Sequence, residues 1–186
     1  MTSRPSEPPQ QANTNNLCIF QINLNKSEKA QLDLISAKLS KKYNILLIQE
    51  PHTTKFNKIR TPPNFRPVFP SHQIANQEPI CSVIWVNRHI NTNKWTILNI
   101  PDTNDITAIQ LTNDKGVTSI FNIYNNCVHD KNETALHSYI THNRHKILGT
   151  PNHNMIWAGN FNRHHPLLDN DTDTHLFTQA LAWATN

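Results

Sequence analysis

From residue 17 onward the chain alternates short apolar runs with polar turns, and the runs change period as they go. LCIFQIN (17–23) is apolar, contains β-branched residues and has strand length, which predicts a buried strand. From Ser27 to Tyr43 the apolar positions Leu32, Ile35, Leu39 and Tyr43 recur at helical spacing with Lys29, Lys38, Lys41 and Lys42 between them, and Asn25 or Ser27 can cap the start. NILLIQE (44–50) reads as a second buried strand, stopped by Pro51, so the chain opens strand, helix, strand. Residues 51–79 carry Pro51, Pro62, Pro63, Pro67 and Pro70 without periodicity and predict a long surface excursion, the kind of loop that often carries function. Strands follow at 80–87, 94–100, 105–112 and 117–124, the last two joined by the hairpin signal Asn113-Asp114-Lys115-Gly116. A second amphipathic helix is expected with Asn132 as cap, with Leu136, Tyr139, Ile140, Asn143 and Ile147 on one face, and with Gly149 as its stop. A strand at 154–159 leads into Asn160-Phe161-Asn162-Arg163-His164-His165-Pro166, and LFTQALAW (176–183) can start a third helix. The alternation predicts an α/β (α+β) layered domain with mixed sheets.

Composition narrows this picture. The 186 residues fit one domain over 17–186, after a Pro-, Gln- and Asn-rich segment (1–16) too polar to repay its ordering entropy and expected to be disordered. Hydrophobic content of 37% and charged content of 16% describe a chain that is polar without being charged. With only 3 glycines, Asn is expected to fill many positive-φ turns. The 3 cysteines (18, 81 and 127) form no CxxC pair and give neither a disulfide framework nor a thiolate zinc site. No apolar run reaches membrane-spanning length and no signal peptide is visible, which points to cytoplasm or nucleus. A net charge of +4 permits a polyanionic partner without demonstrating one. Lys55, Lys58 and Arg60, in the long loop, are better candidates for tracking phosphates than the helix lysines, which are expected to form a solvated face. Trp85, Trp95, Trp157 and Trp183 sit in apolar runs and read as core.

A polar residue just after a buried strand is projected to the carboxyl edge of the sheet, where ligands of layered α/β folds collect. Asn23, Gln49-Glu50-Pro51, Tyr124-Asn125 and the 160–166 segment occupy such places. One carboxylate among amides and a phenol suits a hard divalent cation that keeps several waters and shares a phosphate. Each residue also has a plain reading: Glu50 as a solvated turn carboxylate, Asn23 as an Asx-turn, Tyr124 as half-buried core.

Taken in order, the pieces Gln21-Ile22-Asn23-Leu24-Asn25-Lys26-Ser27, Ile48-Gln49-Glu50-Pro51, Asp105 to Leu111, Phe121-Asn122-Ile123-Tyr124-Asn125 and Ala158-Gly159-Asn160-Phe161-Asn162-Arg163-His164-His165-Pro166 resemble the endonuclease/exonuclease/phosphatase superfamily. Within it they are most similar to the endonuclease domain of LINE-type, non-LTR retrotransposon polyproteins, fungal ones especially. The resemblance implies a four-layer αββα sandwich, a Mg²⁺ or Mn²⁺ ion, DNA as partner, no small-molecule cofactor, and cleavage of phosphodiester bonds. It implies that Glu50 binds the metal, that Asn23 helps hold the metal environment, that Tyr124 contacts the scissile phosphate, and that Asn162 orients the attacking water or a phosphate oxygen. Asn160 stands where the family motif Gly-Asp-Phe-Asn has Asp, an exchange that removes a charge and a base worth about 10²–10⁴ in rate. No late Asp-His pair follows His165, so a C-terminally truncated copy is expected, with open strand edges, poor solubility and impaired turnover. The alternative is a catalytically inactive relic or DNA-binding module, and a small-molecule phosphatase is a third reading. His153, His164, His165 and His175 have no acidic or Cys partner at finger spacing and give zinc little support.

Overall fold

The computed structural model describes residues 16–56, 58–71, 79–125 and 131–161. All but the last residue of the expected tail (1–16) and the expected helix at 176–183 lie outside them, as do Cys127, Asn162, Arg163, His164, His165, His175 and Trp183. The chain runs through β1 (Ile19–Asn23), α1 (Glu28–Ser36), β2 (Ile45–Gln49), β3 (Phe65–Val68), β4 (Ser82–Asn87), β5 (Trp95–Leu98), β6 (Ile106–Asn113), β7 (Gly116–Tyr124), α2 (Lys131–Gly149) and β8 (His153–Asn160). Among the described residues the strands make two four-stranded sheets, ordered β1-β2-β4-β3 and β5-β6-β7-β8. Each sheet is mixed, because β1 pairs parallel with β2 across α1 and β7 pairs parallel with β8 across α2. The other pairs are antiparallel.

Alternation along the strands sorts their side chains into three cores, which makes four layers. Ile45, Leu47, Ile84 and Val86 of the first sheet meet Ile109 and Ile120 of the second between the sheets. The opposite face of the first sheet (Leu46, Ile48, Val83, Trp85) packs under α1 through Leu34 and, half-buried, Ile35. The opposite face of the second (Ile106, Ala108, Phe121, Ile123) packs under α2 through Ala135 and Leu136. β2 is buried at every position, as its unbroken apolar run predicted. Of the tryptophans expected in the core, Trp85 is fully buried, whereas Trp95 and Trp157 pack half-buried against the second and third clusters. No helix among the described residues is long and apolar enough to cross a membrane.

Four expectations need correction. The helix from Ser27 to Tyr43 is two pieces: α1 is capped by Ser27, whose Oγ accepts from the Ala30 amide at 3.2 Å, and a 3₁₀ turn at Leu39–Lys41 follows Lys38 in left-handed conformation. Its inward face is Gln31 and Leu34, while Leu32 is exposed. The excursion at 51–79 contains β3, an edge strand that tolerates Pro67 because an edge leaves one side without ladder bonds. Asn132 is not a cap but lies inside the first turn of α2, donating to Asp105 Oδ2 at 3.0 Å and to the Tyr124 carbonyl at 3.1 Å. Among the described non-glycine residues with positive φ, Asn25 and Asn152 are joined by Lys26, Lys38, Glu50 and Asp102, so Asn takes only part of that role.

At one end the two sheets are joined by buried amides. Asn122, fully buried on β7, donates to the Ile48 carbonyl at 2.9 Å and the Val83 carbonyl at 3.0 Å in the facing sheet. Its Oδ1 accepts from Gln49 Nε2, its backbone carbonyl accepts from Ser82 Oγ at 2.8 Å, and Gln49 Oε1 accepts from Gln21 Nε2 at 2.6 Å. Substituting Asn122→Ala strands several buried partners, each costing about 1–3 kcal/mol when unpaired. A loss of about 2–4 kcal/mol is expected in urea denaturation; a loss within error of zero would show that the amide is dispensable.

Candidate active site at the joined strand ends

Strand direction determines which residues meet. The carboxyl ends of the parallel strands β1, β2, β7 and β8 share one edge with the amino ends of β4 and β6, their antiparallel neighbours. Asn23, Glu50, Tyr124 and Asn160 arrive from the first set, and Cys81 and Asp105 from the second. Glu50 is the hub. Its side chain is 12% exposed, it accepts from Asn23 Nδ2 at 3.1 Å, it lies 3.6 Å from Lys26 Nζ, and it is close enough to the Tyr124 phenol to act on its proton. Asn23 does two jobs, since its Oδ1 also accepts from the Asn25 amide at 2.8 Å in the Asx-turn its plain reading foresaw. Asn25 and Lys26 then continue in left-handed conformation, and the Lys26 amide donates to the Glu50 carbonyl at 2.8 Å. That turn carries the exposed Lys26 ammonium back over the carboxylate. Glu50 itself has φ 44°, a conformation costing a residue with a Cβ about 1–2 kcal/mol.

On the second sheet, Tyr124 pairs in register with Asn160, and the Asn125 amide donates to the Asn160 carbonyl at 2.7 Å. This approach depends on Gly159, whose φ of 149° and position against Ile123 leave no room for a side chain, a Cβ there falling 1.8 Å from the Ile123 carbonyl oxygen. Burial, then the Glu50 carboxylate with its hydrogen bond, push the Tyr124 hydroxyl up to about 12. Tyr124 therefore stays protonated and donating. Because its folded value lies above the ordinary 10, the stability tied to that proton is complete below pH 10 and lost as pH rises through about 12. Burial likewise raises the Cys81 thiol to about 12, reinforced by the charge of Asp105 and a hydrogen bond to it.

Of the residues proposed from sequence, Asn23, Glu50, Tyr124 and Asn160 are brought to this edge, and Asn162 lies outside the described residues. Lys55, Lys58 and Arg60 are exposed on the loop after β2, where Arg60 pairs with Glu28 at 3.5 Å. Lys26, Cys81 and Asp105 had been given no role. Cys81 and Asp105 each immediately precede a strand, a position that points to the same edge once the strand is known to be antiparallel. His153 sits at the opposite end of β8 from Asn160, 2.8 Å from Ser119 Oγ. No group of three or more His, Cys, Asp or Glu suited to a metal ion occurs among the described residues. A Mg²⁺-type ion, however, needs only one or two carboxylates beside water and phosphate, and Glu50 fits that modest requirement.

No protein-family model matches the chain, and no curated protein matches its sequence. Solved structures do. The endonuclease domain of TRAS1, a telomere-specific non-LTR retrotransposon, superposes with a TM-score of 0.55 at 18% identity over 81% of this chain and 61% of its own. An AP endonuclease from Leishmania major superposes at 0.55 with 11% identity over 77% of this chain and 54% of its own. The chain has the endonuclease/exonuclease/phosphatase fold. It is a four-layer sandwich that spans about three-fifths of the first of these structures.

The raised thiol gives a direct check on the site's electrostatics. With Cys18→Ser and Cys127→Ser in place, Cys81 is expected to resist alkylation at pH 8, and Asp105→Asn to speed its reaction severalfold by removing a carboxylate that opposes the thiolate. Equal rates in the two proteins would mean that Asp105 does not act on the thiol.

Proposed function

We propose that the chain is a divalent-metal-dependent phosphodiester hydrolase of the retrotransposon DNA endonuclease type, impaired in this copy. The observation that carries the reading is the meeting of Asn23, Glu50 and Tyr124 around one carboxylate at the edge where Asn160 ends β8. In-line hydrolysis needs phosphate charge neutralised, a water aimed opposite the leaving oxygen, and a group to take its proton.

Glu50 would hold the ion, which supplies charge neutralisation at the phosphate when bound, and Asn23 would fix the carboxylate through its 3.1 Å hydrogen bond. Tyr124, kept neutral by its surroundings, would donate its hydroxyl to a phosphate oxygen. Asn162 is assigned the orientation of water or phosphate by resemblance. At position 160, the amide is close to aspartate in size but supplies no negative charge and no useful basicity. The nearby ammonium of Lys26 makes the site less acidic still.

Asn160 is also the observation favouring the second reading, a DNA-binding module without turnover. Nicking of supercoiled plasmid with Mg²⁺ or Mn²⁺ separates the two. Asn160→Asp is expected to raise nicking by about 10²–10⁴-fold, the usual worth of a general base, and Glu50→Gln to abolish the gain. A folded Asn160→Asp protein that binds plasmid yet leaves it supercoiled would reject hydrolysis and favour the binding module.

A further inference from the structure

The loop that leaves the site after Glu50 is held at both stems by one side chain. Gln31 of α1, 2% exposed, accepts from the His52 amide at 2.8 Å and donates to the Arg60 carbonyl at 3.1 Å. Farther out, Thr54 and Lys58 close a turn: the Thr54 amide donates to the Lys58 carbonyl at 2.9 Å, and Thr54 Oγ1 accepts from the Lys58 amide at 3.2 Å. Phe56, between them in the chain, is 72% exposed, the most exposed of the large apolar side chains described. Lys55 Nζ lies over the ring at 5.1 Å from its centroid, and Lys58, two residues on in the chain, is exposed.

A single open aromatic ring is common on protein surfaces, but this one stands under an ammonium on a loop whose stems are pinned to α1, an arrangement that offers a flat apolar face and positive charge together. A flat apolar ring beside ammonium groups complements a flat base beside phosphates. Aromatic side chains in basic surroundings hold unpaired nucleic acid in this way, with base on ring and backbone on lysine. A paired duplex keeps its bases stacked inside and offers the ring nothing.

We infer that Phe56 stacks on an unpaired nucleobase while Lys55 and Lys58 contact the adjoining phosphates. The substrate would then be DNA that is single-stranded or locally opened near the site. The inference takes its partner class from the proposed function but concerns binding, so it is tested without turnover.

Fluorescence anisotropy compares a fully paired duplex with the same duplex carrying a short single-stranded gap. Phe56→Ala is expected to weaken binding of the gapped DNA by about five- to a hundredfold, the range for loss of one base–aromatic stack, and that of the paired duplex less than twofold. Phe56→Trp should bind like the parent and Phe56→Leu like the alanine variant. Lys55→Ala with Lys58→Ala should weaken both DNAs and reduce the salt dependence. Equal effects of Phe56→Ala on both DNAs, or full binding by Phe56→Leu, would overturn stacking. A change in sedimentation on Phe56→Ala without a change in anisotropy would assign the ring to contact between copies and overturn it too. Failure of the parent to bind either DNA would instead discredit the nucleic-acid reading of the site itself.

Discussion

Two buried amides set the spacing on which the site depends. Gln49 and Asn122 lie one residue before Glu50 and two before Tyr124, and their hydrogen bonds run between sheets that otherwise meet through apolar side chains. Apolar packing is non-directional and would allow the sheets to slide, whereas an amide satisfied by fixed carbonyls in the facing sheet accepts one register. The distance from the carboxylate of one sheet to the phenol of the other is therefore set within the core. Gln21 extends the same chain of amides to β1, two residues before Asn23.

The elements with clean periodicity were legible in the residues. The opening strand, helix and strand, the hairpin at 113–116 and the second helix all follow from apolar spacing and turn chemistry, and strand ends located Asn23, Glu50, Tyr124 and Asn160. What escaped was structure that local pattern disguises. β3 contains a proline, which argues against a strand until its edge position is known. Gln31 is polar and so was given no place on the buried face of α1, which went to Leu32 instead. Its burial answers to a loop far along the chain. Cys81 and Asp105 join the site only because β4 and β6 run against their neighbours, and strand direction is a property of the whole sheet.

The two βαβ units divide the work. The first carries the carboxylate, the lysine and the loop with Phe56; the second carries the phenol and the position 160 amide. Gly159 lets the second unit close tightly, and Asn132 binds the start of its helix to Asp105, a residue at the mouth of the site. Each sheet thus contributes a rigid half, and a change in how the halves join would be felt at Glu50 and Tyr124 together.

The left-handed backbone at Glu50 sets local ease against the side chain carried there. Glycine would sit there with greater ease and would discard the acid, so selection for thermal robustness alone would push this position away from glutamate. The strain is held in a single torsion angle, next to the carboxylate that Asn23 and Lys26 address.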